Sequence, residues 1–133
     1  MKYVLAVFQN LFFSVLLISL AACSSSDEGS KVSLEQAKTL HESGQVVLID
    51  IRETREHQTG VANGAVLLPM SQISQNTSLI PRNSAQPVLL ICNTQNRSKA
   101  TLEKLKAQGY QNIQYVEGGM SQWAAKGWPM VKP

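Results

Sequence analysis

With 133 residues, 44% of them hydrophobic, the chain can bury one core and is too short for two comfortable domains. Twelve lysines and arginines against nine acidic residues leave a net charge of only +3. The basic residues are scattered, so no stripe exists for a phosphate backbone to follow, and nucleic acid is not an expected partner.

The chain opens with Lys2, then an apolar run best developed over residues 11–20 and preceded by the polar Gln9 and Asn10. Small Ala21 and Ala22 follow, and then Cys23. That order is the order of a secretory signal, and the run is short for a membrane span. The four residues Leu20-Ala21-Ala22-Cys23 resemble the lipobox of bacterial lipoproteins, in which a peptidase cuts before the cysteine and lipid is attached to its sulfur and new amino terminus. The resemblance implies a signal peptide over residues 1–22 and a lipidated Cys23. It also implies a membrane-anchored domain facing the periplasm, at the outer membrane because Ser24 rather than aspartate comes next. Several acyl chains on one cysteine make a stable anchor, since each buried methylene contributes about 0.8 kcal/mol. A cleaved signal with an incidental cysteine, or an uncleaved anchor, is the competing reading. Residues 23–30 are otherwise small and polar and read as a flexible tether, leaving residues 31–133 as the domain.

In the domain, Ser33 as N-cap with Gln36 three positions later predicts a helix over residues 34–43, with Leu34, Ala37 and Leu40 on one face. The short apolar run "VVLID", residues 46–50, reads as a strand buried on both faces. "RETREHQTG" predicts one or two helical turns stopped at Gly60, and "AVLLP" a second buried strand ending at Pro69. Residues 71–87, rich in Ser, Asn, Gln and Pro, predict a loop with one helical piece at residues 72–75 or 78–80. "VLLIC" is a third strand, residues 98–108 a helix with Leu102 and Leu105 facing inward, residues 113–116 a fourth strand, and residues 120–126 a short last helix. Apolar strands alternating with helices argue for a mainly parallel sheet covered on both faces, a fold that binds ligands beyond the carboxyl ends of its strands.

Cys92 stands at such an end. If Cys23 is lipidated, Cys92 has no partner for a disulfide within the chain, so its thiol is either buried and inert or placed for a purpose. The loop that follows, "NTQNR", leads from a strand into a helix and so places successive backbone N–H groups at a helix N-terminus, where they lack intrahelical partners. Such a loop can curl around an anion. A thiolate at its centre, with Arg97 adding a full charge, is a nucleophile that can attack phosphorus or sulfur.

Three ordered motifs give a more specific expectation. "LIDIRETREHQTGVANGAVLLP", "CNTQNRS" and "VEGGMSQWAAKGWP" together resemble a single-domain rhodanese, a sulfurtransferase family, over residues 31–133. The resemblance implies a three-layer α/β/α fold with a mainly parallel central sheet. It also implies Cys92 as nucleophile, with Asn93, Thr94, Gln95, Asn96, Arg97 and Ser98 forming the loop that binds substrate. The rhodanese loop has four residues between cysteine and arginine, as here, where phosphatases of the same fold have five. Sulfur would then pass from a small anionic donor such as thiosulfate to a cyanide or thiol acceptor by way of a Cys92 persulfide held by the N–H groups of residues 94–98. Arg97 would orient the donor, and the Ser98 hydroxyl would cap the helix and touch the sulfur.

Two departures from the family pattern stand out. Gln95 occupies a position where many members carry glycine and the backbone is expected to need positive φ. Gly60-Val61-Ala62 replaces the usual "GHI" and so lacks a common histidine. The rival readings are a module that binds persulfide or an anion without turnover, and a phosphatase of the same fold. Asp50 and Arg52 are expected to form a structural ion pair, His41 and His57 to be surface or hydrogen-bonded histidines, and Trp123 and Trp128 to pack the last helix and tail. No metal site and no cofactor are expected.

Overall fold

Among residues 29–133, which the computed structural model describes, five strands form one sheet: β1 (Lys31–Val32), β2 (Val47–Asp50), β3 (Val66–Leu67), β4 (Val88–Ile91) and β5 (Ile113–Val116). Their order is β1-β5-β4-β2-β3 and every pairing is parallel. The intervening chain supplies α1 (Leu34–Glu42), α2 (Thr54–His57), α3 (Asn96–Ala107) and α4 (Gly119–Ala125). Between β3 and β4 lie two 3₁₀ segments, Met70–Gln75 and Thr77–Leu79. The expected lipidation site Cys23 and the expected signal peptide lie outside the described residues.

The continuous apolar strands are explained by two cores, one on each face of the sheet. Leu48, Leu89, Ile91 and Val116 pack with Leu34 and Ala37 of α1 and Met120 and Trp123 of α4. Their chain neighbours Ile49, Val88, Leu90 and Cys92, with Tyr115, pack on the other face with Leu102 and Leu105 of α3 and with Ile80. Successive strand side chains point to opposite faces, so a strand covered on both sides needs apolar residues at every position. Each such side chain contributes about 1.5–3 kcal/mol on burial.

The first helix begins with the expected reciprocal cap. Gln36 N–H donates to Ser33 Oγ and Ser33 N–H to Gln36 Oε1, both at 3.2 Å. Other boundaries differ from expectation. The loop expected over residues 71–87 contains both 3₁₀ segments rather than one helical piece, and α3 begins at Asn96, two residues before the expected Ser98. The two-residue β1 has too little pattern to be legible in sequence; it exists because Lys31 and Val32 align with Tyr115 and Val116 of β5. At the other end of the chain, Trp123 is buried, meets Trp128 edge-on at 5.1 Å, and donates from Nε1 to the Pro129 carbonyl at 3.0 Å. Beyond it, Val131 exchanges two backbone hydrogen bonds with Val61.

Register sets the site. Asp50 of β2 lies level with Ile91 of β4, so the residues after both strands emerge side by side at the carboxyl end of the sheet. Cys92 is the first residue past β4.

Candidate active site

The loop after β4 is shaped by the opposing helix. The N–H groups of Met120 and Ser121, which have no acceptor in the first turn of α4, donate to the carbonyls of Cys92 and Asn93 at 2.8 and 2.9 Å. Gly119 sits so near that a β-carbon there would fall inside contact distance of the carbonyl oxygens of Cys92, Asn93 and Thr94, and its φ is +61°. Three successive carbonyls of the loop therefore face α4. In a trans peptide the N–H points opposite its carbonyl, so the N–H groups of Asn93, Thr94 and Gln95 face away from the helix. They meet no acceptor among the described residues. With the first-turn N–H groups of α3, they form a row of donors suited to an anion.

Cys92 is fully buried beneath this loop. Its Sγ lies 3.2 Å from Ser98 Oγ and 3.4 Å from the Ser98 N–H. The Ser98 hydroxyl also lies 3.1 Å from the Gln95 carbonyl. One hydroxyl hydrogen thus has two acceptors: it can serve the carbonyl while Cys92 keeps its proton, and turn to the sulfur when that proton leaves. Ser98 does not cap the helix as expected. The N-cap is Gln95, and Ser98 is in the third position of α3, with its hydroxyl pointing back over the first turn.

The positive φ expected at Gln95 is absent. Its φ of −162° lies far from the left-handed region, and its side-chain Oε1 accepts a 3.1 Å hydrogen bond from Gly118 N–H. The left-handed conformations of the site fall instead across the interface, at Gly118 and Gly119, with φ of +77° and +61°.

Arg97 is already engaged. Its NH1 and NH2 donate to Glu56 Oε2 and Oε1 at 2.8 and 2.7 Å, a fork-to-fork pair between α3 and α2. Glu56 Oε2 also accepts from Glu53 N–H at 2.9 Å. The Arg97 guanidinium holds the Glu56 carboxyl down to about 2, and Glu56 in turn raises the pKa of Arg97. Glu56 lies within the first of the three sequence motifs, which by itself assigns it no role. The signal was its place in the capping-box position of a short helix, and only the fold shows that the same carboxylate faces Arg97. Asn93, Thr94 and Asn96 are exposed at the loop surface.

Asp50 and Arg52 form the expected ion pair, buried at the foot of the site. Arg52 Nε and NH2 donate to the carboxylate at 3.0 and 2.7 Å, and NH2 also reaches the Gly60 carbonyl at 2.8 Å. His57 is neither at the surface nor hydrogen-bonded, contrary to expectation. It is buried with Nε2 3.4 Å from Asp50 Oδ1, a contact that falls short of a hydrogen bond, because α2 turns it inward. His41 is half-buried and lies 2.7 Å from the Asn63 carbonyl through Nε2. A cavity of about 620 Å³ lined by His41, Asn63, Val66, Trp123 and Pro129 contains none of the loop residues, so volume does not mark the chemistry here.

These features define a class: a parallel α/β domain whose buried cysteine lies under a loop of unpaired N–H groups. The chain belongs to the rhodanese-like domain family, whose model matches residues 33–126. A protein named a sulfurtransferase from Allochromatium vinosum is 33% identical over 97 residues, 73% of this chain and 89% of that one. An uncharacterised protein of Synechocystis is 30% identical over 109 residues, which cover 82% of this chain but only 60% of the relative's length. The crystal structure of a rhodanese-related protein from Thermoplasma volcanium superposes with a TM-score of 0.65 at 29% identity, covering 77% of this chain and 98% of that chain.

Proposed function

We propose that this chain moves sulfane sulfur from a small donor to a thiophilic acceptor through a persulfide on Cys92. The observation that supports this best is the grip of α4 on the loop carbonyls, which leaves the N–H groups of Asn93, Thr94 and Gln95 without acceptors beside a buried sulfur. With thiosulfate as donor, the deprotonated Cys92 sulfur attacks the outer sulfur, the S–S bond breaks, and sulfite leaves with the electron pair. The anionic persulfide that remains is held by the loop N–H groups, with the Ser98 hydroxyl turned to sulfur. Cyanide or a thiolate then attacks the outer sulfur and departs with it as thiocyanate or a new persulfide, returning Cys92 to its starting state. Because Arg97 is paired with Glu56, it acts on the donor as half of a neutral fork, and the N–H groups carry most of the anion's recognition.

The test is mass spectrometry of the purified protein after incubation with thiosulfate, followed by cyanide. One sulfur atom should be gained on Cys92, lost to cyanide as thiocyanate, and never gained by Cys92→Ser. Absence of the gain in the wild type sinks the proposal.

A second reading, a module that holds persulfide or an anion without turnover, is favoured by the complete burial of Cys92. It predicts that sulfur loads once and that cyanide releases no thiocyanate beyond one equivalent. We further propose that the domain is tethered to a membrane on its periplasmic side by lipid on Cys23. Detergent partitioning of the protein made in a bacterial host, wild type against Cys23→Ser, tests that anchor.

A further inference from the structure

We propose that Gln95, through its side chain, is a positioning residue for the Cys92 site: a strap that fixes the loop to the start of α4 and thereby aims the Ser98 hydroxyl at the sulfur. The inference rests on the sulfur-transfer reading for its activity assay and on geometry alone for the rest.

Gln95 joins both sides of the site. Its Oε1 accepts from Gly118 N–H at 3.1 Å, and its main-chain carbonyl accepts from the Ser98 hydroxyl at 3.1 Å and from Lys99 N–H at 2.8 Å. The contacts of Met120, Ser121 and Gly119 hold the loop at Cys92, Asn93 and Thr94 and stop there. Without the side-chain bond, Gln95 is tied only to α3, and the last peptide of the loop has no tie to α4. That is the peptide whose carbonyl competes with Cys92 Sγ for the Ser98 hydroxyl hydrogen, at 3.1 against 3.2 Å. Freed from α4, this peptide can close on the hydroxyl and take it from the sulfur, and the strap holds the carbonyl back. A glycine at this position could supply neither the acceptor nor the reach, so the side chain of this particular chain replaces backbone shape with a specific bond. Gly118 benefits in return. As the N-cap of α4 it has no side chain to offer, and its own N–H finds its partner in Gln95.

The experiment compares the wild type with Gln95→Leu, which keeps the bulk and removes the acceptor, Gln95→Ala, which removes both, and Gln95→Glu, which keeps the oxygen. Three quantities are read on the full chain: the amide exchange rate of Gly118, the rate of Cys92 modification by methyl methanethiosulfonate, and kcat and KM for thiosulfate-to-cyanide transfer. Gln95→Leu and Gln95→Ala should speed exchange at Gly118 and lower both the Cys92 modification rate and kcat by about fivefold, the equivalent of one hydrogen bond. KM should hold within about twofold, and Gln95→Glu, whose added charge opposes an anionic sulfur and donor, should restore the slow exchange of Gly118 without being held to the wild-type kinetics. Unchanged Cys92 modification in Gln95→Leu and Gln95→Ala would overturn the proposal, as would Gly118 exchange that Gln95→Glu does not slow. If Gln95→Leu does not fold, Gln95→Ala decides by the same readings. Wild-type protein that transfers no sulfur refutes the proposed function, while amide exchange and thiol modification still judge the strap.

Discussion

Glu56 and Arg97 stand 41 positions apart in the chain and meet through two parallel hydrogen bonds of 2.8 and 2.7 Å. The pair ties α2, which follows β2, to the first turn of α3 beside the cysteine loop.

This pair makes an acid-dependent contribution to stability. The Glu56 carboxyl is lowered from 4.5 to about 2 by the Arg97 hydrogen bonds. A carboxyl whose folded value lies below its unfolded value stabilises the fold above the unfolded value and ceases to do so as pH falls through the folded one. Chemical denaturation should show stability falling between pH 4.5 and 2, and Glu56→Gln should flatten that limb while costing about 1 kcal/mol at neutral pH. An identical acid limb in the variant would show that the pair does not contribute.

Gly119→Ala should be among the most damaging small substitutions in the domain. The added carbon would meet three loop carbonyls at a backbone φ of +61°, and the neighbours are main chain that cannot swing aside. A loss of about 2–4 kcal/mol in urea unfolding is expected, together with most of the sulfur-transfer activity. A variant with wild-type stability would mean that the loop and α4 are less closely packed than the structure has them.

Ser98→Ala removes the hydroxyl shared by Cys92 and the Gln95 carbonyl. Sulfur transfer should fall about five- to tenfold, with stability changed by about 1 kcal/mol or less, since one modest hydrogen bond is lost. Steady-state kinetics with a parallel thermal melt separates the two effects, and full activity would remove Ser98 from the mechanism.

Arg52→Met strands the Asp50 carboxylate at 0% exposure beside a histidine that does not hydrogen-bond to it. A destabilisation of about 3–5 kcal/mol is expected in denaturant titration, because an unpaired buried charge is left behind. A cost near zero would mean that water reaches Asp50.

Much of the fold is legible in neighbouring residues. The Ser33 cap, the apolar runs of β2, β4 and β5, and Leu102 with Leu105 on α3 are local patterns, because strand and helix periods repeat within a few positions. The placement of Cys92 at a strand end, followed by a loop entering a helix, is equally local.

Other features were out of reach for physical reasons. The strand β1 is two residues long and exists only through its pairing with β5. Burial of His57 depends on the direction in which α2 leaves the sheet, and the bond made by the Gln95 side chain depends on a partner at Gly118 in another element.

By itself, then, the sequence determined the alternation of elements, the two-faced burial of the central strands though not of the half-buried edge strand β3, and a cysteine where a row of N–H groups begins. Only the tertiary structure decided which way those groups face and what occupies Arg97. Both depend on surfaces from distant segments: α4 draws the loop carbonyls to one side, and α2 delivers a carboxylate to the guanidinium. The sheet order brings these segments together, and no local periodicity encodes that meeting.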